Sequence, residues 1–252
     1  MVKRLFIPDC HFPAQDPTAW SLMLQVAHNF KPDEVVILGD FFDCYSVSRY
    51  DKHPSKMYLD LEEELGTGVV AIERVMNLLK PKKLWFLAGN HEKRVDDYLK
   101  NNAPLLVGAM RTPKELFHLP KSSVYVPYGI GGYINFDGLY AMHGFVTGKN
   151  TPAKSLDRYG RSVIYGHTHQ LGEAHKQILD GPTIRAFNCG WLGDMEKAAD
   201  DYVKDIASWT HGFATGIFPK SGKWTINLHT IIDCEVTVNG INYQPKRKVE
   251  NR

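Results

Sequence analysis

Short apolar runs alternate with amphipathic segments along the first two-thirds of the chain. Each run has the length of a strand and ends at glycine, proline or a polar residue. Five runs predict strands, over residues 4–8, 34–40, 83–90, 138–144 and 162–167. Between the first three, apolar side chains recur at helical spacing, from Trp20 to Phe30 and from Leu61 to Leu79. The pattern therefore predicts two helices, each followed closely by a proline.

This alternation of strand and helix predicts a mostly parallel sheet with helices on both faces in the first half. From about Thr183, the chain predicts more strands, a helix near residues 194–209, and β-structure over 224–238. No linker interrupts the pattern, so residues 1–252 are interpreted as one domain. Residues 44–57 are interpreted as a loop insertion that forms a wall of the site.

Composition narrows the class of protein only slightly. The 252 residues carry a formal charge of +2, which neither requires nor excludes a nucleic-acid partner. Four cysteines are scattered singly, without the spacing of a zinc knuckle or disulfide framework, as suits a reducing compartment. No apolar stretch is long enough to cross a bilayer, so no membrane partner is expected and the default location is the cytoplasm.

Residues of metal-binding type stand at the carboxyl end of each of the five predicted strands. They are Asp9 and His11, Asp40 and Asp43, Asn90 and His91, His143, and His167 and His169. In open α/β sheets, ligands gather in the crevice outside the carboxyl ends of the strands. Alternation along extended backbone would let Asp9 and His11, two residues apart, face the same point. Each residue alone is more often structural, but so many charges at one edge would be expensive to bury without a cation.

The ligand types indicate which cation. Carboxylate, imidazole and amide oxygen without thiolate suit manganese, iron or zinc better than calcium or a structural zinc–thiolate site. Six or seven protein ligands exceed the needs of one catalytic ion, which must keep a position open for water. Two divalent ions are therefore predicted, with manganese preferred. Two ions roughly 3.5–4 Å apart suit in-line displacement at phosphorus.

The five motifs appear in the order D-x-H, G-D-x-x-D, G-N-H-E, H-G and G-H-x-H, over residues 9–169. This order resembles the calcineurin-like metallophosphoesterase superfamily, in its phage and bacterial form. The resemblance implies a four-layer α-β-β-α sandwich, with two mixed sheets flanked by helices. It also implies hydrolysis of phosphoesters by a metal-activated hydroxide.

The resemblance assigns a role to each motif residue. One ion would be held by Asp9, His11 and His169, the second by Asn90, His143 and His167, and Asp40 would bridge the two. His91 would stabilise charge on the phosphate and protonate the leaving oxygen, while Asp43 orients its imidazole. His167 and His169 would thus serve different ions, although alternation alone would have placed them on one.

One position departs from a branch of the family. Protein Ser/Thr phosphatases of the superfamily carry a phosphate-gripping arginine directly after the aspartate that corresponds to Asp43. Cys44 stands there in this chain, so protein phosphatase activity loses its main support. Cys44 and Cys10 are interpreted as packing residues, because attack by metal-activated hydroxide requires no covalent intermediate.

The substrate has to be inferred from loop residues. Tyr45, Arg49, Arg94 and His211 would contact a base or flanking phosphates, or would equally be solvated surface. Trp191 and Trp209 would stack on a base or, in the alternative, pack the C-terminal segment onto the core.

The motifs leave three hypotheses for the activity. The first is a phosphodiesterase, in particular a DNA nuclease, because superfamily members of this size often cleave diesters. Similar chains are common in tailed phages, for which the location would be the host cytoplasm. The rival is a phosphomonoesterase acting on nucleotides or small phosphate esters. The third, an inactive scaffold, is disfavoured because every ligand position and His91 are filled. The sequence specifies no protein partner.

Overall fold

The computed structural model describes residues 1–50, 60–199 and 208–245. The strands are β1 (Val2–Ile7), β2 (Glu34–Ile37), β3 (Lys83–Leu87), β4 (Val124–Val126), β5 (Tyr133–Phe136), β6 (Leu139–Met142), β7 (Ser162–Tyr165), β8 (Leu171–Gln177), β9 (Thr183–Cys189), β10 (Gly212–Phe218), β11 (Thr225–Thr230), β12 (Val236–Val238) and β13 (Ile241–Tyr243). The helices are α1 (Pro17–Phe30), α2 (Leu61–Leu79), α3 (Lys93–Asn102), α4 (Pro113–Leu116), α5 (Thr151–Tyr159) and α6 (Met195–Ala199).

Two mixed sheets form the centre of the structure. The first has the strand order β11-β10-β1-β2-β3-β4, and the second has the order β5-β6-β7-β9-β8. In the first sheet β1 to β4 are parallel, and β10 and β11 add antiparallel strands at one side. In the second, β6, β7 and β9 are parallel between antiparallel edge strands. The five motif-bearing strands are therefore all parallel members of their sheets.

Three hydrophobic clusters define four layers. Side chains of α1 and α2 pack on one face of the first sheet, against Leu5 and Ile7 among others. Its opposite face, which includes Phe6, packs against the second sheet. The far face of the second sheet is covered by α5 through Leu156. The α-β-β-α order expected from the family resemblance is confirmed.

The prediction of helices on both faces of the first sheet is wrong. Burial of Leu5, Phe6 and Ile7, each fully buried, shows that β1 is covered on both sides, as in a parallel sheet. The apolar pattern cannot distinguish a helix from a second sheet as the cover. The second sheet takes that place because its strands also carry an apolar inner face.

The two long helices match their sequence signals closely. At the start of α1, the side chain of Asp16 accepts a hydrogen bond from the backbone of Ala19, and Asp60 caps α2 in the same way. Both helices end in a lysine with left-handed backbone, Lys31 and Lys80. Within the described ranges, no helix combines the length and apolar character that spanning a bilayer requires.

The C-terminal third departs from its predictions in two places. Part of the predicted helix over 194–209 is observed as α6. Residues 200–207 of the predicted range lie outside the described ranges, and Trp209 is not helical. The predicted β-run over 224–238 is interrupted between β11 and β12, where Asp233 and Cys234 adopt left-handed backbone.

The predicted insertion over 44–57 falls partly outside the described residues, which stop at Tyr50 and resume at Asp60. Within the described part, Tyr45–Val47 form a short 3-10 turn.

Candidate metal centre

The motif residues lie in turns just beyond the strand ends. β1 ends at Ile7 and β7 at Tyr165, so Asp9, His11, His167 and His169 come after the strands rather than within them. His11, His167 and His169 have positive φ values of 53°, 73° and 58°. Such backbone costs on the order of 1–3 kcal/mol per residue and clusters at functional sites. Alternation is therefore the wrong reason for the convergence of Asp9 and His11, because a left-handed turn brings them together.

Among the residues that the structure describes, three groups of side chains offer ligand atoms within 4.8 Å of one another. The first group contains Asp9, His11 and His169, and the second contains Asp40, His143 and His167. The third contains His11, Asp40 and His91, so it shares His11 with the first group and Asp40 with the second. His167 and His169 consequently fall in different groups, although one threonine separates them.

Candidate ligand atoms face one another within these groups. Nε2 of His11 lies 3.0 Å from Nε2 of His169, which is 3.6 Å from an Asp9 carboxylate oxygen. Nε2 of His143 lies 3.2 Å from Asp40, 3.0 Å from the Asn90 side-chain oxygen and 3.1 Å from Nδ1 of His167. This set of carboxylate, imidazole and amide groups suits borderline divalent metals.

Two motif glycines are required by the approach of these carboxylates. A Cβ atom on Gly89 would lie 2.1 Å from a carboxylate oxygen of Asp40, and one on Gly166 would lie 2.0 Å from Asp9. The same contacts allow backbone donors to bind the carboxylates. The N–H of His91 donates to Asp40 and the N–H of His167 donates to Asp9, both at 2.9 Å. The glycines therefore set the position of both aspartates.

The charges in the centre perturb one another strongly. Burial raises the pKa of Asp9 to about 7, with Asp40 adding a smaller push in the same direction. Burial also opposes ionisation of Asp40, but His143 and His91 outweigh it and hold the pKa of Asp40 well below its usual value. The pKa of His143 rises to about 9, because Asp40 outweighs the effect of burial. Burial and His143 lower the pKa of His167 to about 4. Carboxylates and imidazoles packed in this way fit divalent cations.

His91 is held by the residues of the second and third motifs. Its Nδ1 lies 2.7 Å from the Asp43 carboxylate and 2.9 Å from the Asp43 backbone oxygen. Nε2 of the same ring lies 2.9 Å from the guanidinium of Arg94 and 3.7 Å from the carboxylate of Asp40. Burial opposes ionisation of Asp43, but hydrogen bonds from His11 and His91 outweigh it and lower its pKa. The imidazole is thus fixed on one side and faces the centre on the other.

Glu92, the last residue of G-N-H-E, has a role that its residue type alone does not predict. Its carboxylate accepts hydrogen bonds from four backbone N–H groups, those of Asp40, Phe41, Phe42 and Gly89. These bonds tie the turn after β2 to the turn after β3. Burial, followed by the charge of Asp40, raises the pKa of Glu92 to about 7. Its position in the motif was the one signal of this role in the sequence.

A second layer supports the two-histidine turn. The side-chain amide of Asn188, at the end of β9, donates to the hydroxyls of Thr168 and Thr151 at 2.6 and 3.0 Å. Thr168 separates the two histidines, so Asn188 fixes the turn that sends them to different groups. Trp191 is 2% exposed and its ring stacks on His169 at 4.8 Å, which agrees with packing rather than base stacking for this residue.

The predicted substrate residues occupy different environments. Arg94 reaches Nε2 of His91. Tyr45 is only 8% exposed, so it offers little surface to a substrate. Arg49 is exposed and lies over the ring of Tyr50 at 5.3 Å. His211 is bound through Nε2 to the backbone oxygen of Gly193 at 2.7 Å and belongs to none of the three ligand groups among the described residues.

Cys10 and Cys44 are fully buried, and burial raises the pKa of each thiol well above its usual value. Thiols in that state are poor nucleophiles, because the thiolate is the reactive form. Their interpretation as packing residues agrees with this environment.

The fold and the five strand-end turns define the class of protein. The calcineurin-like phosphoesterase family matches residues 2–171, about two-thirds of the chain. The chain belongs to this family. Membership supports metal-dependent hydrolysis of phosphoesters, and the Asp/His groups together with the family support a binuclear divalent metal site.

Particular relatives come from phages. The chain is 28% identical to the Gene 54 protein of Mycobacterium phage L5, over 85% of this chain and 88% of the relative. It is 29% identical to the Gene 54 protein of Mycobacterium phage D29, over 84% and 88% respectively. Among solved structures, Vps29 of Chaetomium thermophilum matches with a TM-score of 0.48 and 11% identity, over 97% of this chain and 99% of that one.

Proposed function

We propose that this protein is a metal-dependent phosphodiesterase that cleaves DNA. The observation that carries the proposal is the completeness of the centre. All seven candidate ligands are present and are close to one another, and the His91–Asp43 pair lies beside them. An inactive scaffold would have no need to keep so many buried charges together.

The residues divide into two ligand sets in this proposal. Asp9, His11 and His169 hold one ion, Asn90, His143 and His167 hold the other, and Asp40 lies between the sets. Two divalent ions, for which manganese is the preferred choice, would polarise the attacking water and neutralise charge on the phosphate. The support is that Asp9, His11 and His169 form one group of candidate ligands and that Asp40, His143 and His167 form another, with the Asn90 side-chain oxygen 3.0 Å from His143.

His91 acts on the leaving group in this proposal. Its Nδ1 is held by Asp43, so Nε2 is the atom directed toward the centre. A positioned imidazole of this kind stabilises the phosphoryl charge and donates a proton to the departing oxygen. Asp43 keeps the ring in the required orientation.

One feature favours a nucleic-acid diester over a phosphomonoester. Half-buried aromatic rings lie on both sides of the centre, Tyr128 at 5.6 Å from His143 and Trp209 at 4.2 Å from His169. Aromatic rings beside a scissile phosphate suit the bases on either side of it.

An activity panel with Mn²⁺ tests the proposal. The substrates are bis-p-nitrophenyl phosphate, p-nitrophenyl phosphate, single- and double-stranded DNA, RNA and cyclic nucleotides. We expect turnover of the diester and DNA to exceed that of the monoester, and chelation to abolish it. Preferential turnover of p-nitrophenyl phosphate and nucleotides would instead support the phosphomonoesterase, and inactivity toward every substrate would contradict hydrolysis altogether.

The curated relatives are phage proteins, so we place the activity in the cytoplasm of an infected cell. Fractionation of infected cells followed by immunodetection tests this location. Recovery with the membrane fraction would contradict it.

A further inference from the structure

Arg94 lies in the first turn of α3 and its guanidinium returns to the metal centre. One nitrogen donates to the backbone oxygen of Asp43 at 3.0 Å, and another lies 2.9 Å from Nε2 of His91. The side chain is 13% exposed, and it also lies 3.7 Å from the Asp43 carboxylate. The guanidinium is therefore held in place and borders the same space as His91.

The contact with His91 has a definite polarity. A guanidinium only donates hydrogen bonds, so Nε2 of His91 is the acceptor and the ring proton lies on Nδ1, facing Asp43. This leaves the Arg94 charge directed at a neutral nitrogen. Arginine and phosphate carry opposite charges and frequently form bidentate hydrogen bonds, so a phosphate oxygen would be a better partner for that nitrogen of Arg94 than a neutral imidazole nitrogen.

The planar guanidinium can serve both partners. Its five donors are arranged as a rigid fork, so one nitrogen can stay on the Asp43 backbone oxygen while another binds an anion. The anion would then occupy the place where Arg94 now meets His91. When Arg94 turns to the anion, Nε2 of His91 no longer accepts its hydrogen bond, so it can take up a proton from water and later donate that proton to the leaving oxygen.

We propose that Arg94 grips a phosphoryl oxygen of the substrate, in place of the arginine that position 44 lacks. The inference rests on the proposed function, since it concerns the same centre and the same ester. It names a catalytic residue supplied by the third motif and the helix after it, whereas protein phosphatases of the family use the second motif. In this arrangement Cys44 is buried and carries no charge to the phosphate, and Arg94 keeps its hydrogen bond to the backbone oxygen of Asp43.

Binding of inorganic phosphate tests the inference without requiring turnover. Calorimetry on Mn²⁺-loaded protein compares wild type with Arg94→Ala, and elemental analysis confirms the metal content of each. We expect phosphate to bind about 10- to 100-fold more weakly to Arg94→Ala, the usual effect of losing a hydrogen bond between charged groups. Lys100→Ala is the matched control, because it removes the same charge from an exposed position of the same helix. It should bind phosphate as wild type does.

The alternative is that Arg94 only positions His91. In that case Arg94→Ala would lower kcat on a diester while phosphate affinity stayed at the wild-type value, and the inference would be overturned. The inference would also be overturned if Arg94→Ala weakened phosphate binding no more than Lys100→Ala does. Should Arg94→Ala lose metal, Arg94→Gln replaces it, because its amide can still donate to the Asp43 backbone. The same weakening of phosphate binding is expected, and unchanged affinity would contradict the inference.

Failure of the proposed function gives a different pattern. A wild-type protein that hydrolyses none of the panel but binds phosphate through Arg94 would refute the phosphodiesterase and retain the anion site. If the wild-type protein cleaves diesters while Arg94→Ala binds phosphate as tightly as wild type, the phosphodiesterase is retained and the anion site at Arg94 is refuted.

Discussion

The floor of the candidate site and its rim are held by two different buried carboxylates. Glu92 binds the backbone of Asp40 and the two residues after it, in the turn that forms the floor. Glu64 of α2 binds the backbone N–H groups of Tyr45 and Ser46, a few residues further along the chain. Beyond Ser46, Arg49 and Tyr50 are exposed. The candidate metal centre therefore rests on a turn that Glu92 anchors, while Glu64 anchors the start of the rim at Tyr45 and Ser46.

This difference suggests that reaction type and substrate choice are separable in this protein. Floor side chains contact one another, so changing one should disturb the neighbouring candidate ligands as well. Arg49 and Tyr50 at the rim are exposed, so changing one should alter affinity for a particular substrate. Five experiments test this separation.

The largest effect is expected at Asp40, which belongs to two of the three ligand groups found among the described residues. Asp40→Asn removes a charge from between the two ion positions, so affinity for both ions should fall by at least about 100-fold, the upper end for outer-shell partners of a metal. Activity should fall to that of chelated protein. Elemental analysis after dialysis measures the ions, with Asp33→Asn, a distant carboxylate paired with Lys82, as control. Retention of either ion at wild-type level would show that Asp40 does not lie between them.

His91→Ala comes next and should leave both ions in place. Catalysis should fall by roughly 10²–10⁴-fold, the usual contribution of a positioned general acid. The loss should be larger for DNA than for bis-p-nitrophenyl phosphate, because p-nitrophenolate leaves without protonation. Asp43→Asn should give a milder form of the same pattern. Equal losses on both substrates, or loss of metal, would refute the role assigned to His91.

Glu92→Gln tests the anchor of the floor. The amide NH₂ would face backbone donors, so metal affinity should drop by about 10- to 100-fold, as for other supporting groups of metal sites. Glu64→Gln is the matched control on the rim side. It should lower the melting temperature while leaving metal affinity unchanged, since it holds residues 45 and 46. Equal metal loss in both variants would mean that floor and rim are not separable.

The pH dependence of Mn²⁺ binding probes the same floor. Since burial raises the pKa of Asp9 to about 7, a proton must leave when an ion binds at lower pH. Apparent affinity should therefore rise at least about tenfold per pH unit from pH 6 to 7. The rise should continue less steeply toward pH 9, where His143 loses its proton. Competition with a fluorescent chelator measures this, and affinity independent of pH from 6 to 8 would contradict it.

The smallest effect is expected at Trp209, which lies at the rim on the side of His169. Trp209→Ala should raise KM for DNA by roughly fivefold, the lower end for a base-stacking ring, because the ring is half buried beside His169. KM for bis-p-nitrophenyl phosphate should change less. Trp224→Ala, at the far edge of the sheets against Phe187, is the control. A fall in kcat on both substrates would instead assign Trp209 to the floor.

Much of the centre could be predicted from the sequence because its signals are local. Strand-length apolar runs located β1, β2, β3, β6 and β7, and residue type identified the polar side chains just beyond each strand. Asp9, Asp40 and the histidines could be named as a set because so many charges at one sheet edge are hard to stabilise without metal ions. Glu92 stands in the G-N-H-E motif and Arg94 stands just after it. Because α3 is polar and buries only Val95, no pattern of apolar residues indicated which way its first turn faces.

The order of residues along the chain was enough to predict which side chains gather in the candidate centre and to which family of folds the chain belongs. The cover on the inner face of the first sheet, and the partners that each histidine meets, were settled only by the packing of the folded chain. Those outcomes depend on left-handed turns at His11, His167 and His169, and on contacts between distant segments, such as Gly166 against Asp9. Periodicity and residue type describe neighbours along the chain, whereas these contacts are set by how two sheets pack and bring their strand ends together.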